Sequence, residues 1–283
     1  MTSVPASTRV VASTAPRPWG RWGLRVAVAS YLGFMILLPL AAVLQRGFAD
    51  GLTAFWQELT SQTAMDALRL TLLTAAIMAV VNTVMGTLTA YVLVRYDFPG
   101  RRWLDGLIDM PFAIPTLVTG VMLVTLYGPQ GVIGGFLEAR GVSVIFARPG
   151  IILALLLVSY PFVIRAVQPV LLEAERSQEE AAHTLGASGW TTFRRVVFPT
   201  IRPAVISGGL LAFARALGEF GSIVVVAGNI PGRTLTAPVY IFQQIESENP
   251  RGASAMSIIL LGLSFALLLA LDWWQQRKGL RHV

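Results

Sequence analysis

Long apolar runs alternate with short polar connections along the whole chain. Runs near Leu24 to Leu44, Leu68 to Val94, Leu107 to Tyr127, Ile151 to Leu171, Ala204 to Ala227 and Ala253 to Trp274 are each long enough to cross a hydrocarbon layer of about 30 Å as a helix. The pattern predicts an all-α membrane protein of about six transmembrane helices filling residues 23–276, with a tail at 1–22 and a basic end at 277–283. Pro111 and Pro115 in the third run, and Pro161 and Pro169 in the fourth, are expected to kink those helices, either to line a cavity or as plain packing irregularity. The Ser, Thr, Ala and Pro-rich stretch from Thr2 to Pro18 has no core-forming pattern and is expected to be disordered. The first run is too long for the apolar part of a cleaved leader and is expected to stay as an anchor.

One long charged stretch interrupts the apolar body, in the connection at residues 173–202. It reads as two short helices. Ser177 followed three residues later by Glu180 predicts a capping box, with Glu179 and Glu180 in a first turn where the helix dipole favours anions. Gly186 stands where a left-handed C-terminal cap is needed, and Ser188 is placed to cap a second helix carrying Trp190, Phe193 and Val197 on one face. The product is a compact knob, about 12 Å long at 1.5 Å per residue. Such a knob suits contact with a soluble partner, whereas an amphipathic surface anchor would more naturally sit at a terminus.

Composition narrows the function. Hydrophobic residues make up 54% of the 283 and charged ones 13%, with mean hydropathy +0.65, far from a soluble balance. The net charge of +7 is scattered over connections instead of forming one basic domain, which argues against nucleic acid as a partner. Its arrangement is topological. Arg9, Arg17, Arg21 and Arg25, then Arg95, Arg101 and Arg102, then Arg176, Arg194, Arg195 and Arg202, then Arg277, Lys278 and Arg281 fall on one side. The positive-inside rule therefore puts both termini and the knob in the cytoplasm. Lys278, the single lysine, is followed by Gly279, so no phosphate-binding loop is present. There is no cysteine, and His183 and His282 form no metal motif; nothing beside Ser159 or Ser207 suggests an activated nucleophile. Neither catalytic nor metal-binding residues are expected in this chain.

The fifth run is the other place where chemistry gathers. Arg215 and Glu219 stand near mid-membrane, where each costs about 3 kcal/mol to insert, so they must face protein or water. Four residues apart, they share a helix face and can pair. That pair reads either as a self-neutralised clamp between helices or as part of a transport path. Gly208, Gly209, Gly218 and Gly221 permit close helix approach or local unwinding there.

Two sets of residues carry a family resemblance. Glu180-Ala181-Ala182, Gly186, Val196 and Phe198-Pro199 resemble the EAA loop of ABC-importer permeases, with Val196 and Phe198 departing from that pattern as apolar for apolar. FARALGEFGS from Phe213 to Ser222, the Gly228-Asn229-Ile230-Pro231 turn, YIFQQIESENP from Tyr240, DMPFAIPT from Asp109 and YPFVIRAVQPVLL from Tyr160 resemble the T-type permease subunit of sulfate/thiosulfate importers. Molybdate permeases share the GEFG and GNIPG elements, which alone do not choose the anion. The resemblance implies a type I ABC importer permease fold with a short cytoplasmic coupling-helix pair, in a multi-pass bacterial inner-membrane protein. It further implies a homologous W-type permease, two copies of a cytoplasmic ATPase and an extracytoplasmic sulfate/thiosulfate-binding protein as partners. ATP and Mg would then be used by the ATPase, with no cofactor bound here. The coupling residues would be Glu179, Glu180, Ala181, Ala182, Leu185, Gly186, Ala187, Phe193 and Pro199, and the candidate path residues Arg215, Glu219, Ser222 and Arg165. Alternatives are a molybdate or related oxyanion permease, an ion-coupled secondary transporter with Arg215 and Glu219 as its relay, and a membrane assembly factor that transports nothing.

Overall fold

The computed structural model describes residues 18–277, all helices and connections with no strand among them. The tail up to residue 17 and residues 278–283, with the expectations attached to them, lie outside the described residues. The chain divides into residues 1–45 and residues 46–283. Most of α1 (Pro18–Gly47) belongs to the first, and its apolar side chains, such as Tyr31 and Phe34, are exposed around the helix. That all-round apolarity suits lipid or another membrane helix. The helix takes in residues 18–22, which the sequence pattern assigns to the tail.

The second unit holds α2 (Gly51–Leu59), α3 (Gln62–Arg95), α4 (Arg101–Ala113), α5 (Thr116–Tyr127), α6 (Val132–Glu138) and α7 (Arg148–Glu173). It continues through α8 (Arg176–Thr184), α9 (Gly189–Thr192), a π-helical turn at Phe193–Val197, and α10 (Phe198–Leu217). Last come α11 (Gly221–Val226), α12 (Ala237–Glu246) and α13 (Pro250–Arg277). Five of the described helices are long and apolar enough to cross a membrane, or six if α4 and α5 together count as one span.

Two of the expected spans take a different form. The third is two helices, with α4 and α5 bent by 113°. Pro115 forces Ile114 into an extended conformation (φ −84°, ψ 125°), so the helix cannot continue through it. The fifth starts earlier and ends earlier than its hydropathy implies. Helix runs from Gly189 to Leu217, stops, and resumes as α11, because Glu219 turns back to accept the Ser222 N–H and start a new helix. By contrast α7 runs unbroken through Pro161 and Pro169.

The core lies where α3, α7 and α10 meet, and small residues let their backbones approach. A methyl group on Gly86 would stand 2.9 Å from the Val163 Cβ, and one on Gly208 2.9 Å from the Ala166 Cβ. Buried polar side chains cross between helices. Asn82 of α3 donates to the Leu156 carbonyl of α7 at 3.1 Å, and the Thr71 hydroxyl accepts the Ala237 N–H that opens α12 at 2.8 Å.

Candidate functional site

The charged connection folds as its residue types dictate, with one exception. Gly186 adopts φ +84°, and the Ala187 N–H returns to the Ala182 carbonyl at 3.0 Å while the Gly186 N–H reaches His183 O, a left-handed cap closing α8. Ser188 caps the next helix by accepting the Thr191 N–H. The capping box does not form: α8 begins two residues earlier than its signature implies, Glu175 takes the cap position, and the Ser177 hydroxyl turns to the Glu175 carboxylate. Nor is the second knob helix separate, since α9 passes through the π-helical turn directly into α10. Pro199 and Pro203 lack the N–H groups that would bond the carbonyls four residues back, and a wide turn accommodates a ladder so depleted.

What holds this knob is a contact that the local sequence does not announce. Arg95, the last residue of α3, pairs with Glu179 at 2.6 Å, and both side chains are largely buried. Arg176 donates to the Val94 carbonyl at 3.0 Å. Phe193 stacks on Trp190, with ring centroids 5.8 Å apart, and meets Tyr91 of α3 edge-on. The remaining predicted loop residues divide by exposure. Glu180, Ala181, Leu185, Gly186 and Pro199 are exposed, Leu185 by 88%, and Trp190 by 69%; Ala182, Ala187 and Phe193 are half-buried. The loop thus offers an outer face that mixes apolar, acidic and basic side chains, Arg194 and Arg195 among them, on a mount fixed to the end of α3.

At the break after α10, Arg215 Nη1 stands 2.9 Å from Glu219 Oε2, the pair that i,i+4 spacing predicts. The Glu219 side chain is 2% exposed, and its other oxygen accepts the Ser222 N–H at 3.0 Å and the Ser222 hydroxyl at 2.8 Å. Arg215, Glu219 and Ser222 therefore form one group. Arg165 lies in another, on α7. Its Nε and one Nη donate to the two oxygens of Asp109, at 2.7 and 2.6 Å; that same Nη donates to the Asp105 carbonyl at 2.9 Å. The other Nη donates to the Asp105 carboxylate at 2.8 Å and to Gln168. Asp105 and Asp109 lie on α4, so this is a clamp between α4 and α7 that uses every guanidinium donor. Among the described residues, no three His, Cys, Asp or Glu side chains are grouped to hold a metal ion.

Comparison with known proteins places this architecture. Over 94% of its length the chain superimposes on 97% of a chain from a bacterial alginate ABC transporter solved with a pentasaccharide-bound periplasmic protein, at TM-score 0.79 and 17% identity. A second structure of a bacterial ABC transporter for alginate import gives TM-score 0.76. The fold is thus that of the type I ABC importer permeases. In sequence, the chain is 45% identical to a probable sulfate transport system permease protein of Chlorokybus atmophyticus, over 95% of this chain and 93% of that one. It is 42% identical to a sulfate transport system permease protein of a Synechocystis strain, over 92% and 88%. The family model for the inner membrane component of binding-protein-dependent transport systems matches residues 82–279, which run from the middle of α3 and take in α4 to α13, the tethered loop and the Arg215 group. This multi-pass membrane protein belongs to the family of binding-protein-dependent transport system inner membrane components, as a transport subunit and not an enzyme.

Proposed function

We propose that this chain is the transmembrane subunit of an ATP-driven sulfate or thiosulfate importer, forming half of the translocation path. The observation that carries the coupling part is the tether. An exposed loop locked to α3 by the buried Arg95–Glu179 pair cannot be pushed without moving the membrane helices. Glu180, Ala181, Leu185, Gly186 and Pro199 then dock onto a cytoplasmic ATPase, with Glu179, Ala182, Ala187 and Phe193 as the mount behind them. The anion is supported by the names of the relatives. In this reading the partners are a W-type permease, two ATPase copies that use ATP and Mg, and an extracytoplasmic binding protein. Both termini face the cytoplasm of a bacterium, in keeping with the arginine asymmetry. The face carrying Arg215, Glu219 and Ser222 lines the path, and Arg165 holds its wall.

The test is co-purification of the chain with candidate ATPase, permease and binding-protein subunits, followed by sulfate uptake and ATPase assays in proteoliposomes. A complex whose hydrolysis rises with sulfate-loaded binding protein is the expected result. Uptake driven by an ion gradient without ATP, or an active complex with two copies of this chain and no second permease, would overturn the mechanism or the pairing. Gly186→Leu isolates coupling. A side chain there meets open space but is forced to φ +84°, which costs about 1–3 kcal/mol. Transport and ATPase stimulation should fall together at an unchanged protein level; normal uptake would remove Gly186 from the coupling role.

A further inference from the structure

Arg215 is held from one side only. Glu219 Oε2 faces its Nη1, and among the described residues its Nε and second Nη meet no acceptor. The side chain is 34% exposed, whereas the carboxylate that holds it is 2% exposed. The carboxylate has little left to offer a ligand, because Ser222 saturates its other oxygen. Leu211, Arg215 and Gly218 form a stripe at i, i+4 and i+7 in which Leu211 and Gly218 are exposed and Arg215 is half-buried, and a methyl group on Gly218 would meet nothing within 4 Å. At 1.5 Å per residue, Arg215 lies about 20 Å along the helix axis from Arg202, deep in the apolar layer. A guanidinium exposed at that depth cannot face lipid without a cost of about 3 kcal/mol. The stripe therefore faces water or another protein chain.

Resting on the transport reading above, we infer that the Nε–Nη edge of Arg215 is a transit subsite for a tetrahedral oxyanion. Glu219 and Ser222 act on it as positioning residues. The free edge is a planar fork that takes two oxygens of one anion side by side. Glu219 serves two ends: it fixes the guanidinium so that the fork points along the stripe, and its charge offsets that of Arg215. A fork offset in this way attracts an anion in passing and does not trap it. Gly218, lacking a side chain, leaves room for the anion beside the fork.

Because the chain contains no cysteine, Gly218→Cys gives it a single thiol next to the fork. Gly218 has φ −99°, so the substitution is not strained. The assembled complex is treated with two thiosulfonate reagents of equal size, one ending in a sulfonate and one in an ammonium, and labelling of this chain is read by intact mass. The sulfonate reagent should react about tenfold faster, and Gly218→Cys with Arg215→Gln should erase the preference. A companion variant, Arg215→Lys, keeps the charge and loses the fork. It should lower sulfate uptake about tenfold, while hydrolysis stimulated by loaded binding protein continues. Labelling that is absent or blind to charge overturns the subsite, as does unchanged uptake in Arg215→Lys. If the wild-type complex moves no sulfate while its Gly218→Cys form shows the charge preference, the sulfate reading is overturned and the subsite stands.

Discussion

Arg165 and Arg215 are the same side chain on two long apolar helices, and the fold uses them in opposite ways. Arg165 is ringed by Asp105, Asp109 and Gln168, and each of its donors is taken. Arg215 faces one oxygen of one carboxylate. A guanidinium with all donors spent is a fastener, and nothing can bind to it without breaking α4 from α7. The group around Arg165 also carries two carboxylates to one cation, so a passing dianion would be repelled there. A guanidinium held by one corner remains available for chemistry. Arginine in a membrane helix is thus no sufficient sign of an anion path; the number of acceptors already in place decides.

The largest effect expected from this contrast is on assembly. Arg165→Leu strands Asp105 and Asp109 together without a cation, at about 3 kcal/mol for five lost hydrogen bonds each taken at the low end of its range, because the arginine is 31% exposed and the carboxylates 45% and 49%. The ratio of folded to unfolded complex should fall by about a hundredfold at that cost, read as loss of complex at a lower temperature or denaturant concentration. Arg165→Lys should be intermediate, keeping the charge without the fork. If Arg165→Leu left complex recovery intact and removed only uptake, Arg165 would belong to the path and the contrast would collapse.

Next in size is a loss of transport with assembly spared. Arg215→Leu leaves Glu219 buried, but its two bonds from Ser222 remain, so the cost should be nearer 1–3 kcal/mol, roughly that of one buried acceptor left unsatisfied. Uptake should disappear, whereas binding-protein stimulation of hydrolysis continues because the loop and its Arg95–Glu179 tether are untouched. Arg215→Leu with Glu219→Leu sharpens the point. Restored uptake in that double variant would make the pair a helix clamp, the same kind of object as Arg165.

How far the sequence reveals these two sites follows from the distance between their parts. Arg215, Glu219 and Ser222 lie within two helical turns, so their pairing is legible from spacing, as are the left-handed cap at Gly186 and the Ser188 cap. The Arg165 clamp joins residues 56 and 60 apart, and the tether joins Arg95 to Glu179; helical periodicity carries no information about such partners. Hydropathy locates the spans but not their breaks. It averages over Ile114-Pro115, where two residues leave the helix, and over Gly218 to Phe220, where Glu219 abandons one helix to cap the next. The capping box at Ser177 and Glu180 failed for a related reason: Arg95 draws Glu179, the neighbour of Glu180, toward α3, and α8 starts at Arg176, whose own side chain reaches back to Val94.

The smallest effect expected is the finest test of positioning. Ser222→Ala removes a hydroxyl 2.8 Å from Glu219 and leaves the Ser222 N–H in place, a loss of about 1 kcal/mol. Glu219 then has one less bond fixing its direction, and Arg215, anchored through it alone, wanders. Uptake should fall about fivefold for a loss of that size, with complex recovery and stimulated hydrolysis unchanged. The charge preference of a thiol at position 218 should weaken in parallel, because a cation that wanders focuses anions less well than a fixed one. If Ser222→Ala lowered complex recovery and left that preference intact, the hydroxyl would serve the start of α11, and Glu219 would fix Arg215 without its help.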